Sequence, residues 1–469
     1  MKYLRYMACL LLFGLLACQD TGDPETTTPN SAQEAVEVME GKIQPPVWAR
    51  NATIYELNIR QFTPEGTFQA IRPHLERLRE MGIDIIWLMP IHPISQTRRK
   101  GTLGSYYAVD DFRAVNPEYG TMQDLEALIG DIHNNGMKVL LDWVPHHTGW
   151  DHPWIEEHPD WYSQDEEGNI IDPINEETGE PWGWTDVAEL KLDNPEMRHE
   201  MISDMIYWIS DVGIDGFRVD HAHGLPDDYW DEVSSALSQL DDDIFMLAEG
   251  EEPRLRNRQN FVMTYAWKFH HAMNAIARGE HTVDQLDSIL AEDRAAYTYG
   301  YHMYFTSNHD ENSWAGTVME RMGDGHQTFA VLAATIDGMP LVYSGQEEPI
   351  RKRLEFFEKD PIEWNTYAYA DFYKTLFGLK KRNRALWNGE YGALSERINT
   401  SQHVYAFQRV KGDTDKVMVI LNLSPEPRET VIDVDSGKMR DVFSGEIVRI
   451  NAGDTVALTP WEYVVLSSK

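Results

Sequence analysis

The segment Gly216-Phe217-Arg218-Val219-Asp220 joins a short apolar run to an arginine and a terminal aspartate. Three further segments also bring charged or imidazole side chains to the end of an apolar stretch of about strand length. They are Asp142-Trp143-Val144-Pro145-His146-His147, Phe245-Met246-Leu247-Ala248-Glu249 and Phe305-Thr306-Ser307-Asn308-His309-Asp310. Enough chain for a helix separates each segment from the next, and strands that alternate with helices predict a parallel sheet. Because several strands end in acids and histidines, the sequence predicts a (β/α)8 TIM barrel, whose sites lie at that end of its strands.

Eight strands are predicted along the chain around these segments. Continuous apolar runs such as residues 83–90 are typical of strands buried on both faces of a parallel sheet. Gly82 and Gly136 follow helical patterns and predict where two helices end. The predicted strands are residues 53–58, 83–90, 138–144, 216–219, 245–248, 261–265, 303–306 and 341–343. Together they predict a catalytic barrel over residues 47–388.

Two regions depart from this alternation. Between about residues 148 and 190 no helical period appears, and five tryptophans stand among Pro, Gly, Asp and Glu. A loop of this length in a compact domain is usually functional, so we predict a small subdomain inserted after strand three. Residues 389–469 alternate as strands between turns, with strands predicted at 404–409, 416–423, 429–434 and 456–466. This pattern predicts a separate antiparallel β-sandwich.

The first 18 residues are predicted to be a targeting segment. Lys2 and Arg5 precede an apolar run, which is typical of a secretory signal. The final Leu15-Leu16-Ala17-Cys18 resembles a bacterial lipobox, so we predict lipidation of Cys18 and a flexible acidic tether over residues 19–46. A soluble secreted protein with an incidental cysteine is the alternative.

The net charge and the cysteine content limit the kinds of partner, disulfide and metal site that the chain can have. The net charge of −36 repels phosphate backbones and anionic lipid heads, so no nucleic-acid partner is expected. The two cysteines, Cys9 and Cys18, both lie in the predicted signal, which leaves the mature chain without a disulfide or a cysteine metal site. No later apolar run reaches the roughly 18 residues that span a bilayer. We predict an exported protein held at the bacterial outer membrane only through its N-terminal lipid. The face of the membrane that it occupies and its oligomeric state stay open.

The four segments also predict a type of chemistry. Arg218 and Asp220 are two apart in a strand and point the same way, and a neighbouring arginine lowers the pKa of an aspartate, as a nucleophile requires. Glu249 ends an apolar strand, where partial desolvation raises the pKa of a carboxyl and keeps it protonated as a general acid. Two carboxyl groups with separated pKa values predict glycoside cleavage. A salt bridge beside an unrelated glutamate would explain one segment alone, but four in register favour a site.

With these motifs in this order and spacing, the chain resembles the α-amylase family of glycoside hydrolases from about Trp48 to its C-terminus. The resemblance implies a (β/α)8 barrel, an insert after strand three and a C-terminal β-sandwich. It implies that Asp220 is the nucleophile, that Glu249 is the acid/base and that Asp310 grips sugar hydroxyls and distorts the ring. The other positions that match substrate-contacting or supporting residues of the family are Tyr107, Asp142, His147, Arg218 and His309.

Some positions depart from the family pattern. His146 stands where the family usually has an asparagine that often binds calcium, and calcium prefers oxygen donors. His223 and Gly224 stand where many α-amylases have a lysine and a histidine that contact sugars beyond the cleaved bond. His223 therefore remains a candidate substrate-binding residue. No cofactor or catalytic metal is expected, and a structural calcium is left open.

The sequence thus predicts a retaining glycoside hydrolase that cleaves α-glucosidic bonds of starch-like α-glucans or maltooligosaccharides through a covalent glycosyl-enzyme intermediate. Three alternatives stay open: an α-glucanotransferase, an α-1,6-specific glucosidase and a non-catalytic glycan-binding lipoprotein. The motifs do not separate hydrolysis from transfer. The last alternative requires a missing nucleophile or acid, whereas Asp220, Glu249 and Asp310 are all present.

Overall fold

A computed structural model describes residues 42–175 and 178–469. Eight parallel strands close into a barrel, and each strand pairs with its neighbours in chain order until β1 meets β8. The strands are β1 Ile54–Leu57, β2 Ile85–Leu88, β3 Lys138–Trp143, β4 Gly216–Val219, β5 Phe245–Ala248, β6 Met263–Tyr265, β7 Tyr301–Tyr304 and β8 Gly338–Tyr343. The predicted (β/α)8 barrel is confirmed.

The barrel strands are buried on both faces, which explains their continuous apolar sequence. Every residue of β1, β2, β4, β5 and β7 is buried. β7 lies two residues earlier in the chain than predicted, at Tyr301–Tyr304 rather than 303–306. Phe305 and Thr306 therefore follow the strand instead of ending it. Strand β8 is also longer than predicted, because it begins at Gly338.

Helices connect the strands and follow local sequence rules. The helix Met122–Asn134 begins with a capping box between Thr121 and Asp124, a feature typically worth about 1 kcal/mol. The helix Leu75–Met81 ends at Gly82, whose φ of 103° is left-handed, as predicted. The other helices of at least ten residues are Pro195–Tyr207, Asp227–Ser238, Trp267–Ala277, Asp284–Ala296, His326–Thr335 and Ala370–Arg382. The short helices are Ile59–Phe62, Phe68–Ile71, Trp154–Glu157, Pro253–Asn257 and Val318–Met322.

The insert after β3 is built around a small antiparallel pair. The strands His147–Gly149 and Val187–Glu189 pair with each other. Between them, Trp154 and Trp161 are buried with their ring centroids 5.0 Å apart. The tryptophan-rich segment therefore has a core of its own next to the carboxyl end of β3.

The C-terminal region is an antiparallel sandwich. Its larger sheet contains, in spatial order, Glu396–Arg397, Val404–Lys411, Asp415–Asn422, Tyr463–Ser467, Met439–Asp441 and Ile447–Val448. A second sheet pairs Arg428–Val431 with Thr455–Leu458. Side chains of both sheets share one hydrophobic cluster that includes Ile420, Ile432 and Leu458. The predicted sandwich is confirmed.

One strand prediction in this region was wrong. Residues 456–466 form two strands in different sheets rather than one. Pro460 has no N–H to donate to a ladder, and Trp461 has a left-handed φ of 59°. The chain therefore turns between Leu458 and Tyr463. The strands Glu396–Arg397, Met439–Asp441 and Ile447–Val448 were not predicted, because two or three residues are too few to show an alternation of polar and apolar side chains.

Of the predicted N-terminal segments, the structure describes only residues 42–46. Ile43 is buried, its N–H donates to the carbonyl oxygen of Gln259 at 3.0 Å, and its own carbonyl oxygen accepts from the hydroxyl of Tyr299 at 2.6 Å, so this end of the predicted tether packs on the barrel. Within residues 42–175 and 178–469, no helix is long and apolar enough to cross a membrane. The predicted signal over residues 1–18 with Cys18, and the tether up to residue 41, lie outside the described residues.

Candidate active site

A pocket of about 500 Å³ lies at the carboxyl ends of the barrel strands. Asp220 directly follows β4 and Glu249 directly follows β5, so both side chains reach its wall. The predicted site residues that line it are Tyr107, His147, Asp220, His223, Glu249, His309 and Asp310. Asp142 and Arg218 are fully buried and do not line the pocket. The nine residues predicted for the sugar-binding pocket are thus brought together: seven line it, and Asp142 and Arg218 lie buried behind its wall.

The guanidinium of Arg218 joins the acids of the site. Its Nη1 lies 2.8 Å from Oδ1 of Asp142 and 3.0 Å from Oδ1 of Asp220, while Nη2 lies 2.9 Å from Oε2 of Glu249. Nε donates to the hydroxyl of Tyr265 at 3.1 Å. Because the guanidinium is planar and rigid, these contacts set the relative positions of three carboxyl groups.

The pKa values in this cluster are not shifted in the directions that the sequence predicted. Burial and the charge of Glu249 raise the pKa of Asp220 well above its ordinary value, although Arg218 opposes them. Burial also acts to raise the pKa of Glu249, but Arg218 and the backbone N–H of His221 outweigh it and lower that pKa to about 2. The N–H of His221 donates to Oε2 of Glu249 at 2.9 Å. The predicted order of the two pKa values is therefore wrong for this arrangement, because Arg218 contacts both groups and Glu249 has the additional donor.

His309 is held from three sides. Its Nδ1 bonds to Oε1 of Glu56 in β1, and its Nε2 lies 2.8 Å from the hydroxyl of Tyr107 and 3.3 Å from Oδ2 of Asp310. Burial acts to lower the pKa of His309, but Asp310 and Glu56 outweigh it and raise it to about 9. The imidazole is therefore a cation at neutral pH and can donate to a sugar hydroxyl.

Residues 26–388 match the description "Alpha amylase, catalytic domain". This stretch spans the barrel and every residue of the site. The chain belongs to the alpha-amylase family.

Its relatives include two α-amylases. "Alpha-amylase 3" from Dictyoglomus thermophilum is 24% identical over 80% of this chain and 85% of that protein. "Alpha-amylase MalA" from Haloarcula japonica is 28% identical over 87% of this chain and 60% of that protein. Among solved structures, the maltogenic α-amylase AmyB from Thermotoga neapolitana superposes with a TM-score of 0.79 at 26% identity, over 89% of this chain and 98% of that one. The chain is therefore an enzyme of the glycoside hydrolase and transferase group.

The histidines of this α-amylase family member differ in their surroundings. His147 is buried, and burial together with His221 lowers its pKa to about 3, so the ring is neutral. His223 is exposed at the rim, with Nδ1 3.4 Å from the carbonyl oxygen of Glu249. His221 has a left-handed φ of 48°, which turns its N–H towards Glu249.

The insert supplies aromatic walls to the enzyme's pocket. Trp184 lines the pocket, and Trp182 stacks on it with centroids 5.4 Å apart and 42% of its own surface exposed. Trp154 is buried in the insert, and Trp150 lies under the guanidinium of Arg98 at 3.7 Å. Of these four tryptophans, Trp154 belongs to the core of the insert, Trp150 packs against Arg98, and Trp182 and Trp184 form a stacked pair at the pocket.

Several residues of the site escaped the sequence analysis. Glu56 is a fully buried acid within the apolar strand β1, and this interruption of an apolar run was a readable signal. Tyr265 and His221 act through contacts that no local pattern marks. The further aromatic lining residues are Trp184, Trp267, Trp314, Phe356 and Phe357.

The donors near His146 do not fit calcium. Its Nδ1 lies 3.4 Å from Nδ1 of His147, and its Nε2 is 4.0 Å from Glu189. Imidazole nitrogens are poor calcium ligands. In the described part of the chain, no group of three or more His, Cys, Asp or Glu side chains is arranged to hold a metal ion.

Proposed function

We propose that this enzyme is a retaining glycoside hydrolase that cleaves α-glucosidic bonds of starch-like α-glucans or maltooligosaccharides. The observation that carries the proposal is the contact of one guanidinium with both Asp220 and Glu249 at the wall of an open pocket. Such a shared contact keeps two carboxyl groups close, and retaining enzymes have theirs about 5–5.5 Å apart. The α-amylases among the relatives support the choice of substrate.

The two carboxyl groups divide the work. Asp220 attacks the anomeric carbon while Glu249 donates a proton to the glycosidic oxygen, so that the glycosidic bond breaks and a glycosyl ester forms on Asp220. Glu249 then takes a proton from water, whose oxygen attacks the anomeric carbon and releases Asp220. Asp310 and His309 hold hydroxyl groups of the sugar, and buried Arg218 stabilises the charge of Asp220.

Cleavage requires that Glu249 carries a proton and that Asp220 is ionised. Developing positive charge on the sugar ring favours the ionised form of Asp220. As Glu249 turns towards the glycosidic oxygen, it loses the hydrogen bond from His221 that lowers its pKa. Both changes move the proton in the required direction, so no further group has to supply it.

Separation of products from maltoheptaose, pullulan, isomaltose and starch tests the proposal. We expect shorter maltooligosaccharides from maltoheptaose and starch, and no products from the Asp220→Ala variant. Absence of products from all four substrates would reject the hydrolase assignment. Cleavage of isomaltose alone would favour the α-1,6-specific alternative.

Transfer is the second candidate function. One relative is "Alpha-1,4-glucan:maltose-1-phosphate maltosyltransferase 1" from Streptomyces coelicolor, 25% identical over 85% of this chain and 63% of that protein. A sugar hydroxyl that enters in place of water would give a longer glucan from the same intermediate. Products longer than maltoheptaose in the same experiment would identify this activity.

We further propose that the enzyme is exported and anchored at the outer membrane through lipidated Cys18, and that its chemistry needs no cofactor. The support for the anchor is the lipobox-like Leu15-Leu16-Ala17-Cys18. The support for cofactor-free chemistry is that side-chain carboxyls fill both catalytic roles. The tether would hold the enzyme near the membrane and leave its pocket accessible to external glucan.

A further inference from the structure

A second cavity, of about 560 Å³, lies at the opposite end of the barrel. Gly300 and Asp337 line it, and these residues directly precede β7 and β8, whereas Asp220 and Glu249 directly follow their strands. Residues 388–394, which lead into the C-terminal sandwich, form another wall. Its volume is within the usual range of small-molecule sites, about 300–1,000 Å³.

Several buried polar atoms without partners line this second cavity. They belong to five buried lining side chains. Within the described residues, no hydrogen-bond partner exists for Nε and Nη1 of Arg256, Oδ2 of Asp293, the hydroxyl of Tyr301, Nε2 of His302 or Oδ1 of Asn388. A buried polar group without a partner costs about 1–3 kcal/mol. Their convergence on one cavity therefore points to a polar occupant.

The hydrogen-bonding roles of these atoms define the occupant. Nδ1 of His302 lies 3.0 Å from the carbonyl oxygen of Tyr265 and 3.2 Å from the hydroxyl of Thr264. Because a carbonyl oxygen only accepts, this contact favours the tautomer with the hydrogen on Nδ1, in which Nε2 is an acceptor. That Nε2 lies 3.5 Å from Oδ2 of Asp293, and two acceptors face each other there. Arg256 contributes two N–H donors, and the hydroxyl of Tyr301 can do either. Acceptors and donors side by side match hydroxyl groups, which both donate and accept.

The charges of the second cavity are balanced, which favours a neutral molecule over an anion. The charged lining residues are Arg256, Arg294, Arg409, Asp293, Asp337 and Glu390. Arg294 is paired with Asp337 at 2.6 Å, and Arg409 donates to backbone carbonyl oxygens. Tyrosine rings complete the wall, and one of them, Tyr297, lies under Arg256 at 3.9 Å. Aromatic rings and paired hydroxyl partners together suit a sugar ring.

We propose that this cavity is a second sugar-binding site, which takes a neutral hexose or a disaccharide unit. The assignment is independent of the catalytic roles, since no residue lines both cavities. Sugar held there would add to the affinity of the enzyme for glucan without contact with the reacting bond.

Calorimetric titration of the Asp220→Ala variant with maltose tests this site, because that background prevents turnover. We expect two classes of maltose site. Tyr301→Phe removes one hydrogen bond and should weaken one class about 2–12-fold. Arg256→Met removes two donors and should weaken the same class at least about tenfold. The other class should stay unchanged in both variants.

Tyr229→Phe is the matched control. Its buried hydroxyl also has no partner in the described part of the chain, yet Tyr229 lines neither cavity, so both classes should stay unchanged. A single class unaffected by Tyr301→Phe would overturn the proposal, as would displacement of maltose from the affected class by inorganic phosphate. A single class that Tyr301→Phe weakens would support this site and reject maltose binding at the catalytic pocket instead. Tyr301→Phe keeps the test decisive if Arg256→Met fails to fold.

Discussion

At the residue scale, Arg218 has more carboxyl groups around it than it can neutralise. Asp142, Asp220 and Glu249 all contact one buried guanidinium. Like charges that share a buried site cannot all ionise cheaply, so one carboxyl retains a proton. In the proposed mechanism, that proton is the one that cleavage consumes and later recovers. The shared guanidinium can therefore keep a catalytic proton within a buried network, where burial and the charge of Glu249 raise the pKa of Asp220.

Substitution of the two acids should separate their roles. Asp220→Ala should abolish turnover of every substrate, because no nucleophile remains. Glu249→Gln should lower kcat on natural glucans about 10²–10⁴-fold, yet spare formation of the glycosyl-enzyme from an aryl glucoside with a good leaving group. Steady-state and burst kinetics measure both effects. Glu429→Gln, on the exposed C-terminal surface, is the control and should retain full activity. Equal losses on both substrates for Glu249→Gln would contradict its role as acid.

Because of His309, the free energy of unfolding should fall as the pH becomes alkaline. Asp310 and Glu56 raise its pKa from 6.5 to about 9 against the effect of burial. Because the folded-state pKa lies above the unfolded one, the stabilisation is complete below pH 6.5 and is lost as the pH rises through 9. At about 1.4 kcal/mol per pKa unit, the loss is on the order of 3 kcal/mol.

Urea denaturation of the wild type and of His309→Gln at pH 6 and pH 9.5 measures this effect. Other titrating groups contribute to both proteins, so the difference between the two isolates His309. The wild type should lose about 3 kcal/mol more than the variant over this interval. Parallel losses in the two proteins would contradict the raised pKa.

At the element scale, the insert after β3 combines a core with a binding surface. Its strand pair His147–Gly149 and Val187–Glu189 carries His147 to the pocket at one end. Buried Trp154 and Trp161 hold the intervening chain, while Trp182 and Trp184 stack at the mouth. Indole rings at a pocket entrance suit the apolar faces of pyranose rings.

Two tryptophan substitutions should affect different properties, one the KM and the other the stability. Trp182→Ala should raise KM for long maltooligosaccharides about 2–10-fold with little change in Tm, because an exposed stacking surface is lost. Trp154→Ala should lower the free energy of unfolding by about 3–5 kcal/mol, because it leaves a cavity in the insert. Kinetics with maltotriose and maltoheptaose, together with thermal denaturation, distinguish them. Equal losses of stability would show that both tryptophans are structural.

At the scale of the whole molecule, one strand joins the barrel to the sandwich. In Asp415–Asn422, Val417, Val419 and Leu421 belong to the same hydrophobic cluster as the barrel, and Met418 and Ile420 belong to the sandwich core. Alternate side chains of a strand point to opposite faces, so this sheet packs against both. The two domains should therefore unfold together.

Asn383 provides a test of this coupling. Its buried amide donates to the carbonyl oxygen of Lys416 at 3.0 Å and to Oγ of Ser467 at 3.1 Å. Asn383→Ala should cost about 1–3 kcal/mol, because it leaves buried acceptors without a donor, and calorimetry should still show one transition. Asn451→Ala, in an exposed turn, should change stability by less than about 0.5 kcal/mol. Two resolved transitions would contradict joint unfolding.

The proposed lipidation of Cys18 would hold the whole molecule at a membrane. Cells grown with labelled palmitate should yield labelled protein in the membrane fraction, and Cys18→Ser should be unlabelled and found in the soluble fraction. Cys9→Ser, which changes the other cysteine of the signal, is the matched control and should still be labelled. Label that survives Cys18→Ser would reject the anchor.

Local sequence patterns were sufficient to predict the barrel, the sandwich and most of the residues that meet at the pocket. Buried parallel strands need continuous apolar runs, and the residues that follow such a run are delivered to one end of the barrel. Asp220, Glu249 and Asp310 could therefore be read from their positions after three strands. Both rules are local, so a single chain displays them.

Which side chains meet, and how their pKa values shift, follows from the tertiary structure. Glu56 contacts His309, which lies 253 positions later in the sequence, and one guanidinium contacts both Asp220 and Glu249. The pKa of a buried group depends on desolvation and on neighbours that are distant in sequence, which is why the expected order of the two acids was reversed. The second cavity has the same origin, because its polar atoms come from helices, strands and a linker that only the closed barrel brings together.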